Sequence, residues 1–239
     1  MNVAVIFSGG TGQRMNTKTK PKQFLELHGK PILVYTLELF QQSEKIDAIV
    51  LVMLKSWIGY TEELIDKYRL NKVSAIVEGG ITGQESIYNG IIKAYELYPD
   101  DSVVLIHDGV RPLVDVETIE KCIACVEENG SAITVSPAIE TIVLIEAREM
   151  IGRILPRQKC QMAKAPQCFI LGDIYDAHKK AQKERKVDFI DSASLMQYYG
   201  AKLKTVVGTS ENIKITSPGD FYIFRAISDA RENSQIFGL

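Results

Sequence analysis

Glycines at positions 9, 10 and 12, followed by Arg14, Lys20 and Lys22, crowd the first 22 residues of the chain. Glycine lets the backbone take positive φ and lets a ligand approach the main chain closely. A run of such residues turns several N–H groups toward one point and forms a nest for an anion. Cationic side chains close behind that nest suit a polyphosphate whose charge must be held and then stabilised as it shifts. Neither of the two best-known phosphate loops is present: no third glycine completes G-x-G-x-x-G after Gly12, and no G-x-x-x-x-G-K-[ST] string occurs. Taken alone, the loop also fits a tight strand-to-helix turn.

A second group is His107-Asp-Gly-Val-Arg-Pro. Asp108 has the chemistry to hold Mg²⁺ between phosphate groups, or simply to cap the turn that follows. Arg111, three residues on, suits bidentate phosphate binding. His107 reads as a structural hydrogen-bonding residue. Lys214 interrupts the apolar pair Ile213 and Ile215 and either snorkels to solvent or reaches an anion. Cys122 and Cys125 form a C-x-x-C, but they fall in a helical pattern, Val116 to Glu127, and are expected to be core residues rather than a metal or redox site.

The elements that must position these residues follow an alternating rhythm. Val3 to Phe7 is an uninterrupted apolar run, as a fully buried strand requires. Helical spacing follows from Pro31 to Phe40, a strand over Ile46 to Leu54, a helix over Trp57 to Tyr68, and a strand at Ser74 to Val77. A second glycine loop, Glu78 to Ser86, opens a helix from Glu85 to Leu97, and Ser102 to Ile106 is a further buried strand. This order predicts an α/β protein with a parallel sheet and right-handed crossovers. Ligands of such sheets sit beyond the carboxyl ends of the strands. The loops starting at Ser8, Gly79 and His107 are therefore expected to meet over one site.

Beyond a strand at Ile133 to Pro137, residues 138 to 164 read as an extended hairpin projecting from the sheet. Gln167 to Phe169 leads into a helix from Gly172 to Lys183, and Asp191 opens a short helix stopped by Gly200. Lys202 to Val207 is read as a strand continued in extended form by Asn212 to Thr216, before a last helix capped by Thr216 or Ser217. With no linker, repeat or low-complexity tract, the expectation is a single domain, 1–239, with an arm at about 138–160.

Composition narrows the partners. The chain is 46% hydrophobic and 24% charged with a formal net charge of −2, which gives no electrostatic case for nucleic acid or an anionic membrane. No apolar run approaches the ~20 residues of a membrane span. The N-terminus runs straight into a core strand rather than reading as a signal peptide, and four cysteines suggest no disulfide scaffold, so a cytoplasmic location is expected.

Ser8-Gly-Gly-Thr-Gly-Gln-Arg-Met with Pro21-Lys-Gln-Phe, His107-Asp-Gly-Val-Arg-Pro, Pro166-Gln-Cys-Phe and Asn212-Ile-Lys-Ile-Thr together resemble the sugar-alcohol-phosphate cytidylyltransferases. That family includes the methylerythritol 4-phosphate and ribitol 5-phosphate enzymes, and the resemblance covers nearly the whole chain in order. It implies a Rossmann-like nucleotidyltransferase fold with a mostly parallel sheet, helices on both faces and a projecting β-arm. It also implies CTP and an alditol phosphate as substrates, Mg²⁺ as cofactor, and a homodimer whose arm reaches the partner's site. By position, Ser8, Gly9, Gly10, Thr11 and Gly12 would hold the nucleotide, Arg14 and Lys22 its phosphates, and Lys214 the α-phosphate. Arg14, Lys22 and Lys214 would then be the catalytic cations. Gly80 and Ser86 would lie at the cytosine, and Asp108 at the nucleotide and its metal. Arg111 with Thr141 and Arg157 of the arm would hold the acceptor.

Several positions depart from the family. Ser8 stands where alanine is usual and Gly83 where arginine is common. Ala165 and Ile190 replace threonines that bind the acceptor phosphate in methylerythritol-type enzymes, while Gln161-Met-Ala-Lys-Ala-Pro-Gln differs from the Gln-Gly-Gln-Thr-Pro-Gln run of ribitol-type enzymes. Lys164 can replace the missing contacts with charge. The expected reaction is transfer of CMP from CTP to ribitol 5-phosphate with release of pyrophosphate. The alternatives are methylerythritol 4-phosphate as acceptor, favoured by Ala193-Ser-Leu, and a non-catalytic nucleotide-binding regulator on the same fold.

Overall fold

The computed structural model describes residues 1–10 and 20–237. Thr11, Gly12 and Arg14, all expected at the nucleotide, lie outside the described residues. Strand β1 (Asn2–Ser8) is followed by a short 3-10 turn at Lys22–Phe24, a small hairpin of β2 (Glu26–Leu27) and β3 (Lys30–Pro31), and helix α1 (Ile32–Gln42). Then come β4 (Ala48–Met53), α2 (Ile58–Tyr68), β5 (Val73–Glu78), α3 (Gly83–Leu97), β6 (Val103–Asp108), α4 (Val116–Asn129) and β7 (Ser131–Pro137). The arm holds β8 (Val143–Ile145) and β9 (Ile151–Ile154). The chain closes with β10 (Gln161–Ile170), α5 (Leu171–Lys183), α6 (Ser192–Tyr198), β11 (Thr205–Val207) and α7 (Pro218–Phe237).

Seven strands form one sheet in the order β11-β7-β10-β6-β1-β4-β5. All neighbours run parallel except β10, which is antiparallel to both β6 and β7. The sheet is thus mostly parallel, as expected, but Gln161–Ile170 is a central strand where the sequence reads as the end of a hairpin and the approach to a helix. The polar residues Gln161, Lys164 and Gln167 and the central Pro166 hide it, because proline cannot donate to a ladder. The strand accommodates Pro166 in an irregularity between Ala163 and Gln167, where its register against β7 shifts. Two further expectations need correction: Asn212 to Thr216 is irregular rather than a strand, and α3 begins two residues earlier than read, capped by Thr82 Oγ1, which accepts from the Glu85 N–H at 3.1 Å.

Alternation along the strands sends side chains to two cores. Ala4, Ile6, Ile49 and Leu51 pack under α1, α2 and α4, together with Cys122 and Cys168. Val3, Val5, Val50 and Val104 pack on the opposite face under α3, α5 and α6. All four cysteines are free, and Cys122 and Cys168 are fully buried core residues. A third cluster, with Ile32, Val110, Ile215 and Phe224, seats α7 against the carboxyl end of β6.

Helix α3 lies close to the sheet because Gly90 has no side chain. A Cβ there would come within 2.5 Å of Val5 Cγ1 and 2.6 Å of Val52 Cγ2. Gly90→Val should therefore overpack this face and destabilise the fold by about 1–3 kcal/mol, seen as a lower urea midpoint at unchanged m. An unchanged midpoint would show that α3 can move off the sheet freely.

Candidate functional site

A cavity of about 580 Å³ opens at the carboxyl ends of β1, β5 and β6. Ser8 at the end of β1, Gly9 and Gly10 just after it, Gly80 and Ser86 from the second glycine loop, Asp108 from β6, and Lys22 and Lys214 all line it. The three loops expected to converge do so, and every expected nucleotide or catalytic residue among those described is on this wall.

The two glycine loops nearly touch. Added Cβ atoms at Gly9 and Gly79 would approach Ser86 Oγ at 3.1 and 3.2 Å, a tight fit that glycine relieves where the loops close around that hydroxyl. Ser86 Oγ accepts from the Gly80 N–H at 3.0 Å and donates to Thr82 O at 2.9 Å. Its hydroxyl is committed to shaping the loop. Ser8 buries a hydroxyl with no hydrogen-bond partner among the described residues. That oxygen is closed off and packs toward Gly109, where an added Cβ would come within 2.7 Å of it.

Lys22 is placed by its neighbours. Gln23 is buried and its Nε2 donates to Ser8 O at 2.8 Å, while Phe24 stacks on Trp57 with ring centroids 4.8 Å apart. Lys22 Nζ donates to Ile215 O at 3.0 Å, which ties the first loop to the segment carrying Lys214. That segment is held over β6 by a bond from Ile215 N to Val110 O at 3.0 Å.

At the centre, Asp108 receives Lys214 Nζ on Oδ1 at 2.5 Å and Arg111 Nε on Oδ2 at 2.7 Å. Burial alone pushes this carboxyl up. The Lys214 and Arg111 charges and their hydrogen bonds together outweigh burial and hold it down at about 2. Behind it, burial lowers His107 to about 4, so the ring is neutral at pH 7 and stays a structural residue, with Nε2 3.2 Å from Arg111 O. Arg111 Nη1 also donates to Asn212 O at 3.0 Å, and Lys164 Nζ donates to the same oxygen at 3.0 Å. One carbonyl thus gathers two cations beside the cavity. Asn212, fully buried, fastens this junction to β10 through Nδ2 to Ala165 O at 2.6 Å.

Arg111 and Lys164 stand beside the cavity rather than on its wall. Thr141 and Arg157 are on the exposed arm, and Arg157 Nη1 donates to Ile139 O at 2.9 Å. This chain does not bring either to its own cavity. Gln23 and Thr216 also line the cavity and Asn212 braces it; in the sequence they fall within motifs that gave them no role at the site. Their adjacency to Lys22 and Lys214 was the available signal, but an amide's partners depend on long-range folding.

For a divalent cation, Asp108 is the one carboxylate on the cavity wall among the described residues, and it is held ionised. It joins no convergent group of three or more His, Cys, Asp or Glu ligands among the described residues. The donor set therefore fits Mg²⁺ only as an ion that takes most of its ligands from phosphates and water.

The model of the family described as 2-C-methyl-D-erythritol 4-phosphate cytidylyltransferase matches residues 2–229. The chain belongs to this family. It is 51% identical over 238 residues to a ribitol-5-phosphate cytidylyltransferase of Vibrio parahaemolyticus, covering 100% of both chains. It is 40% identical over 222 residues to a 2-C-methyl-D-erythritol 4-phosphate cytidylyltransferase of Clostridium botulinum, covering 93% of this chain and 95% of that one. Among solved structures, 4-diphosphocytidyl-2C-methyl-D-erythritol synthase of Anaerococcus prevotii superposes with a TM-score of 0.81 at 26% identity, over 95% of this chain and 96% of that one. The nucleotidyltransferase fold is therefore shared in full.

The buried histidines set a pH dependence. His107 and His178 both fall from 6.5 to about 4 in the folded chain because burial disfavours the cation. Between those values the unfolded chain binds more protons, so stability is complete above about pH 6.5 and is lost as pH falls through about 4. Urea unfolding at pH 7 and pH 4 should differ by up to about 3 kcal/mol for each ring. His107→Gln should flatten its share of that slope, and an unaltered slope would show that the ring is not a buried neutral group.

Proposed function

We propose that this chain transfers CMP from CTP to ribitol 5-phosphate, releasing pyrophosphate and forming CDP-ribitol. The observation that carries the chemistry is the ionised Asp108 between Lys214 and Arg111 on the wall of a cavity made by two glycine loops and Lys22. The acceptor rests on the full-length 51% identity to ribitol-5-phosphate cytidylyltransferases. It also rests on positions 165 and 190, where alanine and isoleucine supply no hydroxyl. Each charged hydrogen bond left unreplaced would cost a phosphate roughly 1–3 kcal/mol. The Arg111 and Lys164 pair at Asn212 O supplies charge beside position 165.

The nucleotide's phosphates are read as lying over Ser8, Gly9 and Gly10, with Thr11, Gly12 and Arg14 assigned to them by their place in the family motif alone. The base lies against Gly80 and the loop shaped by Ser86. An oxygen of the acceptor phosphate attacks the α-phosphorus of CTP in line. A P–O bond forms, the α–β bridging P–O bond breaks, and pyrophosphate leaves with that electron pair. The attacking oxygen is already anionic at neutral pH, so no general base is required, consistent with a neutral, buried His107. Arg14, Lys22 and Lys214 hold and neutralise the charge that shifts onto the leaving group. Mg²⁺, held by Asp108 with the phosphates, would supply further charge neutralisation.

The arm supports a homodimer. Leu144, Ile145, Met150, Ile151 and Ile154 are each at least half exposed on a two-stranded sheet, which is marginal in isolation. Apolar side chains gathered this way mark an interaction surface. A second copy covering it would bring Thr141 and Arg157 to the partner's acceptor. No helix among the described residues is long and apolar enough to cross a membrane. Four free cysteines and use of the CTP pool support a cytoplasmic setting.

Pyrophosphate release with CTP and Mg²⁺ should give a higher kcat/KM for ribitol 5-phosphate than for methylerythritol 4-phosphate. The reverse order would move the chain to the other branch of its family, and CTP binding without turnover of any alditol phosphate would leave a regulator. Lys22→Ala should lower kcat by about 100-fold at saturating CTP, the scale of losing one preorganised donor. Mixing that variant with Arg157→Ala should restore up to one working site per heterodimer. No recovery in verified heterodimers would remove Arg157 from the partner's site.

A further inference from the structure

Gln84 occupies the first turn of α3 between two residues of the large cavity, Thr82 and Ser86, yet it faces away from that cavity. It lines a separate small one with Phe189, Asp191 and Ser192. The side chain is buried, and both ends of its amide are spent on backbone about a hundred residues away. Nε2 donates to Lys186 O at 3.1 Å, and Oε1 accepts from the Phe189 N–H at 3.0 Å. Gln167 holds the far end of the same segment: its Nε2 donates to Asp191 Oδ2 at 2.9 Å and its Oε1 accepts from the Ala193 N–H at 2.9 Å. Gln167 directly follows Ala165 and Pro166 in the irregular part of β10, and Asn212 ties Ala165 to the oxygen that gathers Arg111 and Lys164.

A path of hydrogen bonds and short backbone links therefore joins the glycine loop at one end to the Arg111 and Lys164 pair at the other. The outer side of residues 184–193 is held by the Lys186 pair to Glu184 at 2.8 Å and by Tyr198 and Tyr199, all at the surface. Exposed ion pairs of that kind fix a segment weakly. From the interior, the two glutamines hold it by side-chain hydrogen bonds, beside the packing of Phe189 on the core and the Lys186 N–H bond to Ala181 O.

We propose that Gln84 is a positioning residue that couples the two substrates. Nucleotide on the Gly80–Ser86 loop fixes the first turn of α3, Gln84 fixes residues 186–189, and Gln167 passes that order to β10 and Lys164. The acceptor then binds to a surface already ordered, and because such coupling is reciprocal, the acceptor tightens the nucleotide equally. The inference rests on the cytidylyl-transfer reading.

Calorimetry with ribitol 5-phosphate, with and without α,β-methylene-CTP, reads the coupling directly. The analogue should tighten acceptor binding by about tenfold in the unaltered chain. In Gln84→Met the gain should fall below about twofold with analogue affinity retained, and in turnover the acceptor KM should rise more than kcat falls. Gln84→Glu keeps an acceptor for the Phe189 N–H and should recover part of the gain. Full coupling in Gln84→Met, or none in the unaltered chain, overturns the proposal. Should Gln84→Met fail to fold, amide exchange in the unaltered chain decides. Slower exchange at Phe189 and Ala193 with the analogue supports the proposal, and unchanged exchange overturns it. That exchange reads independently of turnover, so a chain that binds the analogue but releases no pyrophosphate would refute the transferase reading alone.

Discussion

Asp108 is a buried carboxylate with a cation on each oxygen, and much of the molecule is arranged to make that arrangement affordable. A charge removed from water is costly unless it is paired and hydrogen-bonded. Arg111 reaches it from three residues along the same turn, but Lys214 must return from more than a hundred residues away. That return depends on the Ile215 to Val110 bond and on the clustering of Ile215 with Phe224 of α7. Helix α7 therefore serves the site without touching it.

The same arrangement explains why the cavity suits an anion. Among the described residues its one wall carboxylate is already matched, and Lys22 and the two glycine loops line the same wall. His107, uncharged because it is buried, adds neither a competing cation nor a base. A reaction between a phosphate already ionised and a phosphoanhydride needs position and charge rather than proton transfer. The side chains present match that need.

Family members that act on different alditol phosphates share this scaffold, and the division of labour in the sheet accounts for it. One side is the cavity of parallel strand ends and glycine loops, proposed above for the nucleotide. The other is β10, the 184–193 segment and the arm, proposed above for the acceptor. Gln84 and Gln167 lie between the two sides and bond to backbone of the same segment.

The local sequence determined the parallel strands, most helices and the glycine loops, because apolar periodicity and glycine act over a few residues. It also marked Lys22, Asp108 and Lys214, whose charge stands out against their apolar or glycine-rich surroundings. Strand β10 escaped it, since Pro166 and three polar residues disguise a strand whose pairing is decided by β6 and β7 on either side. The amides of Gln23, Gln84, Gln167 and Asn212 escaped it for a related reason. A glutamine or asparagine has no characteristic spacing, and its partners lie up to 105 residues away in the sequence. Only tertiary structure decided that Arg111 and Lys164 share one carbonyl, because two distant segments must first be packed against the same strand end.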